Sequence, residues 1–329
     1  MGSARQGVGS TFGEDVVQVS AQTRNSSLCV LVSVIVAGTI CIGLSSHAFG
    51  KDDDDDNSSS KSSTPTTYID LRTTYAAIPG GALAIGFGIT SVSSVLQSIA
   101  LANGTTPSTI PSSVKLPYVH AVVVDIPLTV DVSDRVSLYG GVSASANSMA
   151  VGGWTTFDIT SWNVGFQADL YEQNGGKFPT VTLQSTITQA VPNGPFVTTN
   201  FTNILEFDYA FDADETRGLL AGVQDTRIDV GSGGLPARIN PYFIGYVGGY
   251  YQWPNNWKFT GRVGMQSFGG VNLLNRTPIE PFTQPIVRLD IDRMDDNDNR
   301  LFGVTAQIQW VPKPAYQLTF RTPLYLVRN

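Results

Sequence analysis

Cysteine is almost absent from this chain. Its 329 residues include two, Cys29 and Cys41, both inside one apolar run near the start. No disulfide can therefore hold anything downstream. Charge is scarce too: Asp, Glu, Lys and Arg make up 14% of the residues, where an ordinary soluble domain carries ~25%. With 42% hydrophobic residues, that excludes a disordered chain, which joins low hydrophobicity to high charge. Lys and Arg number 20 against 27 Asp and Glu, a net charge of −7. A phosphate-tracking face needs clustered cations, so nucleic acid is excluded as a partner. Histidine is limited to His47 and His120, and no GxSxG, HExxH or P-loop pattern occurs. A Ser-His or His-metal site would rest on His120 alone, and a lone His at a strand start is ordinary structure. The reading is of a non-enzyme with no catalytic, cofactor or metal residues; a barrel lipase or lipid-modifying enzyme is the enzymatic alternative.

Long apolar runs are missing apart from Leu28 to Leu44. Arg24 precedes it and Ser46-His47-Ala48 follows, the layout of a secretory signal peptide cut after Ala48. A retained anchor helix is the rival reading, and both export the rest. Residues 1–48 are thus the expected leader. Cleavage removes Arg5, Arg24, Glu14 and Asp15 and leaves the net charge at −7. Residues 49–66 (FGKDDDDDNSSSKSSTPT) form an acidic, Ser-rich linker that cannot bury apolar area. Cation binding by its Asp run is the alternative to a solvated spacer.

From Tyr68 the dominant period is two. Val122, Val124, Ile126, Leu128, Val130 and Val132 share a face. Trp257, Phe259, Val263 and Met265 oppose Lys258, Thr260, Arg262 and Gln266. Leu318, Phe320, Leu324 and Leu326 oppose Gln317, Thr319 and Arg321. Half-buried soluble sheets alternate as well. Here, however, the segments run ~12–16 residues where soluble strands run ~5–6. The polar face also carries charge deep in the strands, as a wet lumen tolerates. The expectation is an all-β fold: a transmembrane, antiparallel, up-and-down β-barrel over 67–329. The would-be inner face holds Asp125, Asp131, Asp169, Glu206, Asp208, Arg262, Arg288, Asp290 and Arg321.

Turn residues near 133, 174, 213, 254 and 295 are short, and the long connections near 90–116, 148–155 and 269–283 alternate with them. Counting back from a last strand at 316–327 puts every long connection at one end, as in outer-membrane barrels. The total is about twelve strands, with a thirteenth or an N-terminal extension as the other option, since Ile78-Pro79-Gly80-Gly81 interrupts the first segment. Pro127, Pro241 and Pro323 fall inside proposed strands, where proline removes a ladder donor. Trp154, Tyr250, Tyr251, Trp253, Trp257, Trp310, Tyr316 and Tyr325 cluster near strand ends, as interfacial girdles require. Val92, Val95, Leu96 and Ile99 fit one short helix over 91–103, either folded into the lumen or lying on the rim. The stretch 290–298 (DIDRMDDND) reads as an acidic turn, with a bound cation as its alternative.

These segments, above all AVVVDIPLTVDVSDRVSLYGGVSA (121–144), FPTVTLQSTITQAV (178–191), PYFIGYVGGYYQWPNNWKFTGRVGM (241–265) and FGVTAQIQWVPKPAYQLTFRTPLYLV (302–327), resemble bacterial outer-membrane β-barrel proteins. The style is similar to the transporter-like barrels of the meta-pathway phenol-degradation type. The resemblance implies residence in the bacterial outer membrane, lipid and the barrel-assembly machinery as partners, and a narrow channel or uptake pathway for small solutes, including small aromatic or hydrophobic compounds. Such barrels usually close with an aromatic residue; here Tyr325 is followed by Leu326-Val327-Arg328-Asn329. A non-conducting structural or surface-binding barrel and an exported soluble β-sandwich or adhesin are the alternatives.

Overall fold

The computed structural model describes residues 67–79, 118–149, 153–192, 197–231, 237–273, 276–295, 300–310 and 314–327. The expected leader, linker and helix over 91–103 lie outside the described residues. Twelve strands close into one antiparallel barrel. They are β1 (Thr67–Ile78), β2 (Val119–Ser133), β3 (Val136–Met149), β4 (Asp158–Tyr171), β5 (Thr180–Ala190), β6 (Val197–Ala210), β7 (Arg217–Gly231), β9 (Tyr242–Gln252), β10 (Trp257–Phe268), β13 (Phe282–Met294), β14 (Arg300–Gln309) and β15 (Ala315–Val327). Sequential strands are neighbours, and β1 pairs with β15, from Thr67 opposite Val327 to Ala77 opposite Tyr316. Both ends of the barrel chain therefore meet at one rim. Closure leaves no open edge, the condition for a sheet to stand in hydrocarbon.

The period-two pattern decides which way each side chain points. On β2, Ile126, Leu128 and Val132 face outward and Val132 is 58% exposed, while Asp125, Thr129 and Asp131 alternate with them on the inner face. On β15, Phe320 is 52% exposed and Arg321 beside it only 9%. The outside is apolar and the inside polar, the reverse of a water-soluble barrel. A two-sheet sandwich is excluded.

At one rim the described connections are the short turns at 134–135, 172–179, 211–216 and 253–256, and β13 and β14 are joined at the same rim between Met294 and Arg300. The other carries the long connections. At the short-turn rim Asn174, Glu215 and Asn256 take positive φ, which tight turns demand. Outward aromatics band the two rims. Tyr171 meets Phe178 edge-on at 5.1 Å, and Tyr251 meets Trp253 at 5.3 Å, near the short turns. Trp154, Phe157, Trp310 and Tyr316 are exposed near the long loops. Tyr250 does not join a girdle: it faces inward and is buried. In the Tyr250-Tyr251 pair only one ring can point to lipid, and the parity of Phe243 and Val247 assigns that place to Tyr251.

The prolines find tolerant places. Pro127 lies where the β1–β2 ladder skips from Ile69–Leu128 to Arg72–Asp125. Pro323 stands at the β1–β15 register shift between Ile69 and Asp70. Pro241 lies outside β9 altogether, and its carbonyl accepts the Gly269 amide at 3.1 Å. Three short strands escape the period-two pattern: β8 (Ala237–Ile239), β11 (Val271–Leu273) and β12 (Arg276–Ile279). They form a small sheet, ordered β12-β11-β8, within the long-loop connections.

Candidate functional site

The lumen is built in two levels. Toward the long loops its wall is neutral. Gln266 and Gln284 are 0% exposed, and Gln284 Nε2 donates to Gln266 Oε1 at 2.9 Å. Gln307 Nε2 donates to Gln317 Oε1 at 3.3 Å. Beside these amides Ile228, Tyr242, Ile244, Phe268 and Ile286 pack with Ile239 and Val271 of the small sheet in one apolar cluster. The Gln284–Gln266 bond satisfies one donor and one acceptor and so lowers the cost of burying these amides against apolar neighbours.

Glycines let tyrosine rings lie flat on the inner wall. A Cβ at Gly222 would run into the Tyr246 ring, one at Gly218 into the Tyr250 ring, and one at Gly165 into the Tyr139 ring. Each tyrosine covers the bare backbone of a glycine on a nearby strand, and the sheet keeps its twist without a gap. The ring so placed carries its hydroxyl to a partner: Tyr246 Oη donates to Glu206 Oε2 at 2.6 Å.

Charge lies toward the short-turn half. Asp290 on β13 is the hub. Arg288 Nε reaches its Oδ2 at 3.0 Å, Arg262 Nη1 the same oxygen at 3.2 Å, and Arg321 Nη2 its Oδ1 at 3.1 Å. Thr305 Oγ1 donates to Oδ1 at 2.6 Å. Asp292 accepts Arg300 Nε at 2.8 Å and Arg321 Nη2 at 2.9 Å. Arg262 also crosses the Tyr246 ring, 6.0 Å from its centroid, to approach Glu206 at 3.4 Å. Gly303 makes the hub possible, because a Cβ there would overlap Asp292 Oδ1 and crowd Arg321.

The hub borders a cavity of about 490 Å³ inside the barrel. Asp125, Glu206, Arg262, Arg288 and Arg321 from the expected inner face line it. Asp290 is on the same wall but only 3% exposed, behind its arginines. Asp131, Asp169 and Asp208 also face inward but lie below the cavity, each two positions from the short-turn end of its strand. Asp131 accepts the Ser137 hydroxyl at 2.6 Å and Asp169 that of Thr182 at 2.7 Å.

Sequence reasoning missed Arg72, Arg300, Asp292 and Tyr246. Arg72 and Arg300 line the cavity. The acidic stretch 290–298 is not wholly a turn: Asp290 and Asp292 are strand residues bonded to arginine. Asp292 shares the parity of Asp290, so alternation alone could have found it. No group of three or more His, Cys, Asp or Glu that could hold a metal occurs among the described residues. His120 faces outward, bonded through Nδ1 to the Tyr75 hydroxyl at 2.6 Å and packed edge-on against Tyr118. It is a rim residue.

No protein-family model matches the sequence, and no curated protein matches it. Solved structures of outer-membrane barrels are similar in fold. An outer membrane channel from Pseudomonas putida F1 is 10% identical, with a TM-score of 0.48 over 83% of this chain and 100% of that one. The transport unit of the autotransporter AIDA-I from Escherichia coli is 8% identical, with a TM-score of 0.41 over 84% and 93%. A Pseudomonas aeruginosa FadL homologue is 10% identical, with a TM-score of 0.35 over 79% and 90%. The likeness is to a class of barrel. The fold assignment itself rests on the strand pairing and the inverted polarity of this chain.

Proposed function

We propose that the protein is a bacterial outer-membrane β-barrel that serves as a narrow channel or uptake pathway for small solutes, small aromatic compounds among them. The observation that carries this reading is the 490 Å³ polar cavity enclosed by a barrel whose outer surface is apolar. Twelve strands give a lumen between the filled eight-stranded barrels and the open porins of ~16–18 strands. That width suits small solutes and excludes large ones. The rim of short turns belongs in the periplasm and the long loops outside, the asymmetry of such barrels. Lipid and the assembly machinery are the partners this placement requires, and chemistry on the solute is not part of the role.

Planar-bilayer recording and liposome swelling test the proposal. A folded, inserted protein is expected to show small conductance steps and to admit solutes of benzoate size. Insertion without either would sink the channel reading. The second reading, a non-conducting barrel working through its external loops, has one observation in its favour: the amide and apolar packing of the outer half. Cross-linking to a surface partner without conductance would favour it.

A further inference from the structure

We propose that the cavity is a binding site for a small organic anion, an aryl or alkyl carboxylate, held at an arginine wall. This deepens the channel reading and rests on it for the route the anion takes. Five strands that are consecutive around the barrel, β1, β15, β14, β13 and β10, each send one guanidinium to the cavity: Arg72, Arg321, Arg300, Arg288 and Arg262. The carboxylates that offset them are withdrawn. Asp290, Asp292 and Asp70 are 3%, 6% and 7% exposed; Asp290 and Asp292 accept from arginine and Thr305, and Asp70 lies 3.5 Å from Arg72. The two acids that do line the cavity stand at the margins of this wall, Asp125 on β2 beside β1 and Glu206 on β6 beyond β9 and β7. A solute in the cavity therefore meets guanidinium edges on one side.

Each guanidinium has five N–H donors in a planar fork, whereas an aspartate has two oxygens. Asp290 and Asp292 hold four arginines between them, so the wall presents more donors than its own acceptors use. A carboxylate is the anion whose two oxygens match that fork. The facing wall is uncharged between the margins, with Gln167, Gln184 and Thr182 on β4 and β5. Ile204, Val123 and the Tyr246 ring supply apolar contact, enough for a short hydrocarbon or phenyl body. Below the cavity, Asp131, Asp169 and Asp208 outnumber Lys258, which lies over the inward Tyr250 ring, so an anion leaving the wall that way meets net negative charge and the wall forms a well along the barrel axis rather than one step of a uniform slope. An anion entering from the long-loop side is stopped and held at mid-barrel.

Titration calorimetry on the refolded full-length barrel in a zwitterionic detergent tests this with benzoate, benzyl alcohol and benzylamine as equal-sized probes. Benzoate is expected to bind at least about tenfold tighter than benzyl alcohol, the worth of one charge-assisted pair, and benzylammonium more weakly than either. Raising chloride should weaken benzoate binding and leave the alcohol unchanged. Arg288→Gln should lower benzoate affinity about tenfold with the alcohol unaffected. Equal binding of benzoate and benzyl alcohol by the unaltered protein, or tighter binding of benzylammonium, overturns the proposal whether or not any variant folds. Conductance in the same preparation keeps the two readings apart. A conducting barrel indifferent to benzoate defeats the anion site alone, and a benzoate-binding barrel that never conducts defeats the channel alone.

Discussion

Adjacent residues on β15 offer the sharpest test of which surface meets lipid. Phe320 is outward and 52% exposed, whereas Thr319 lines the cavity and shares a 2.8 Å hydroxyl hydrogen bond with Thr74. Phe320 lies four positions along the strand from the girdle residue Tyr316. At ~3.4 Å per residue and a tilt of ~40°, that is a descent of roughly 10 Å into an apolar band ~25 Å tall, close to the midplane. Arginine at that depth costs ~2–4 kcal/mol, and loss of the lipid-embedded Phe side chain adds ~1.5–3 kcal/mol. Phe320→Arg is therefore expected to destabilise the inserted barrel by about 4 to 7 kcal/mol. Thr319→Arg adds the same charge one residue away, in the wet lumen, and should cost under about 1 kcal/mol. Urea unfolding from lipid vesicles, read by tryptophan fluorescence and by heat-modifiable gel mobility, measures both. A difference of ~3 kcal/mol is already about 150-fold in the folding equilibrium. Equal costs for the two substitutions, or a Phe320→Arg protein as stable as the parent, would refute the orientation of every strand.

Four further substitutions probe the barrel wall and a turn. Gly222→Val drives a side chain into the Tyr246 ring and should cost ~1–3 kcal/mol by overpacking, whereas Gly245→Ala, whose Cβ meets nothing closer than 3.9 Å, should be neutral in the same unfolding assay. Asp290→Asn leaves Arg262, Arg288 and Arg321 without their shared charge; breaking a buried pair costs ~3–5 kcal/mol, and the lower end is expected because Arg262 and Arg288 keep contact with lumen water. In the 211–216 turn, Asp212 is held below the ordinary carboxylate range, first by the Thr216 hydroxyl and also by the Thr216 amide and Arg217. A depressed acid stabilises above its unfolded pKa and loses that contribution as pH falls through its folded value. Hydrogen-exchange protection of the Thr216 amide, which donates to Asp212 Oδ1 at 2.7 Å, should hold from neutral pH down past 3.8 and collapse only below it. In Asp212→Asn the protection should show no such step.

The barrel was legible in the sequence because lipid imposes a one-dimensional rule. Each outward position must be apolar, so Val122 to Val132 or Leu318 to Leu324 declare their face with no knowledge of neighbours. Turn parity then follows from counting, and closure of an even number of strands brings Thr67 opposite Val327. The rule fails where lipid is not the judge. The strands β8, β11 and β12 have three, three and four residues, too few for a period to register. Tyr250 misled because aromatic content near a turn is a weaker signal than parity. Asp292 is hidden by local charge density, because the acidic run continues past Met294, where the strand ends.

The order of the arginines around the barrel was also present in the sequence, since consecutive hairpins place consecutive strands side by side. What could not be read is that Asp290 serves three of them at once. That depends on how far each side chain reaches across the curved wall, and on Gly303, whose missing Cβ makes room for Asp292 and Arg321. The same reach explains why the hub survives. In a dry core, three guanidiniums on one carboxylate would leave excess charge uncompensated at several kcal/mol per ion. Here the carboxylates are the buried partners, and the arginines open on the cavity, where water or an anionic guest completes their hydrogen bonding. Lipid outside fixes the strands, the strands fix which arginines adjoin, and the shared aspartates keep those guanidiniums turned toward whatever enters.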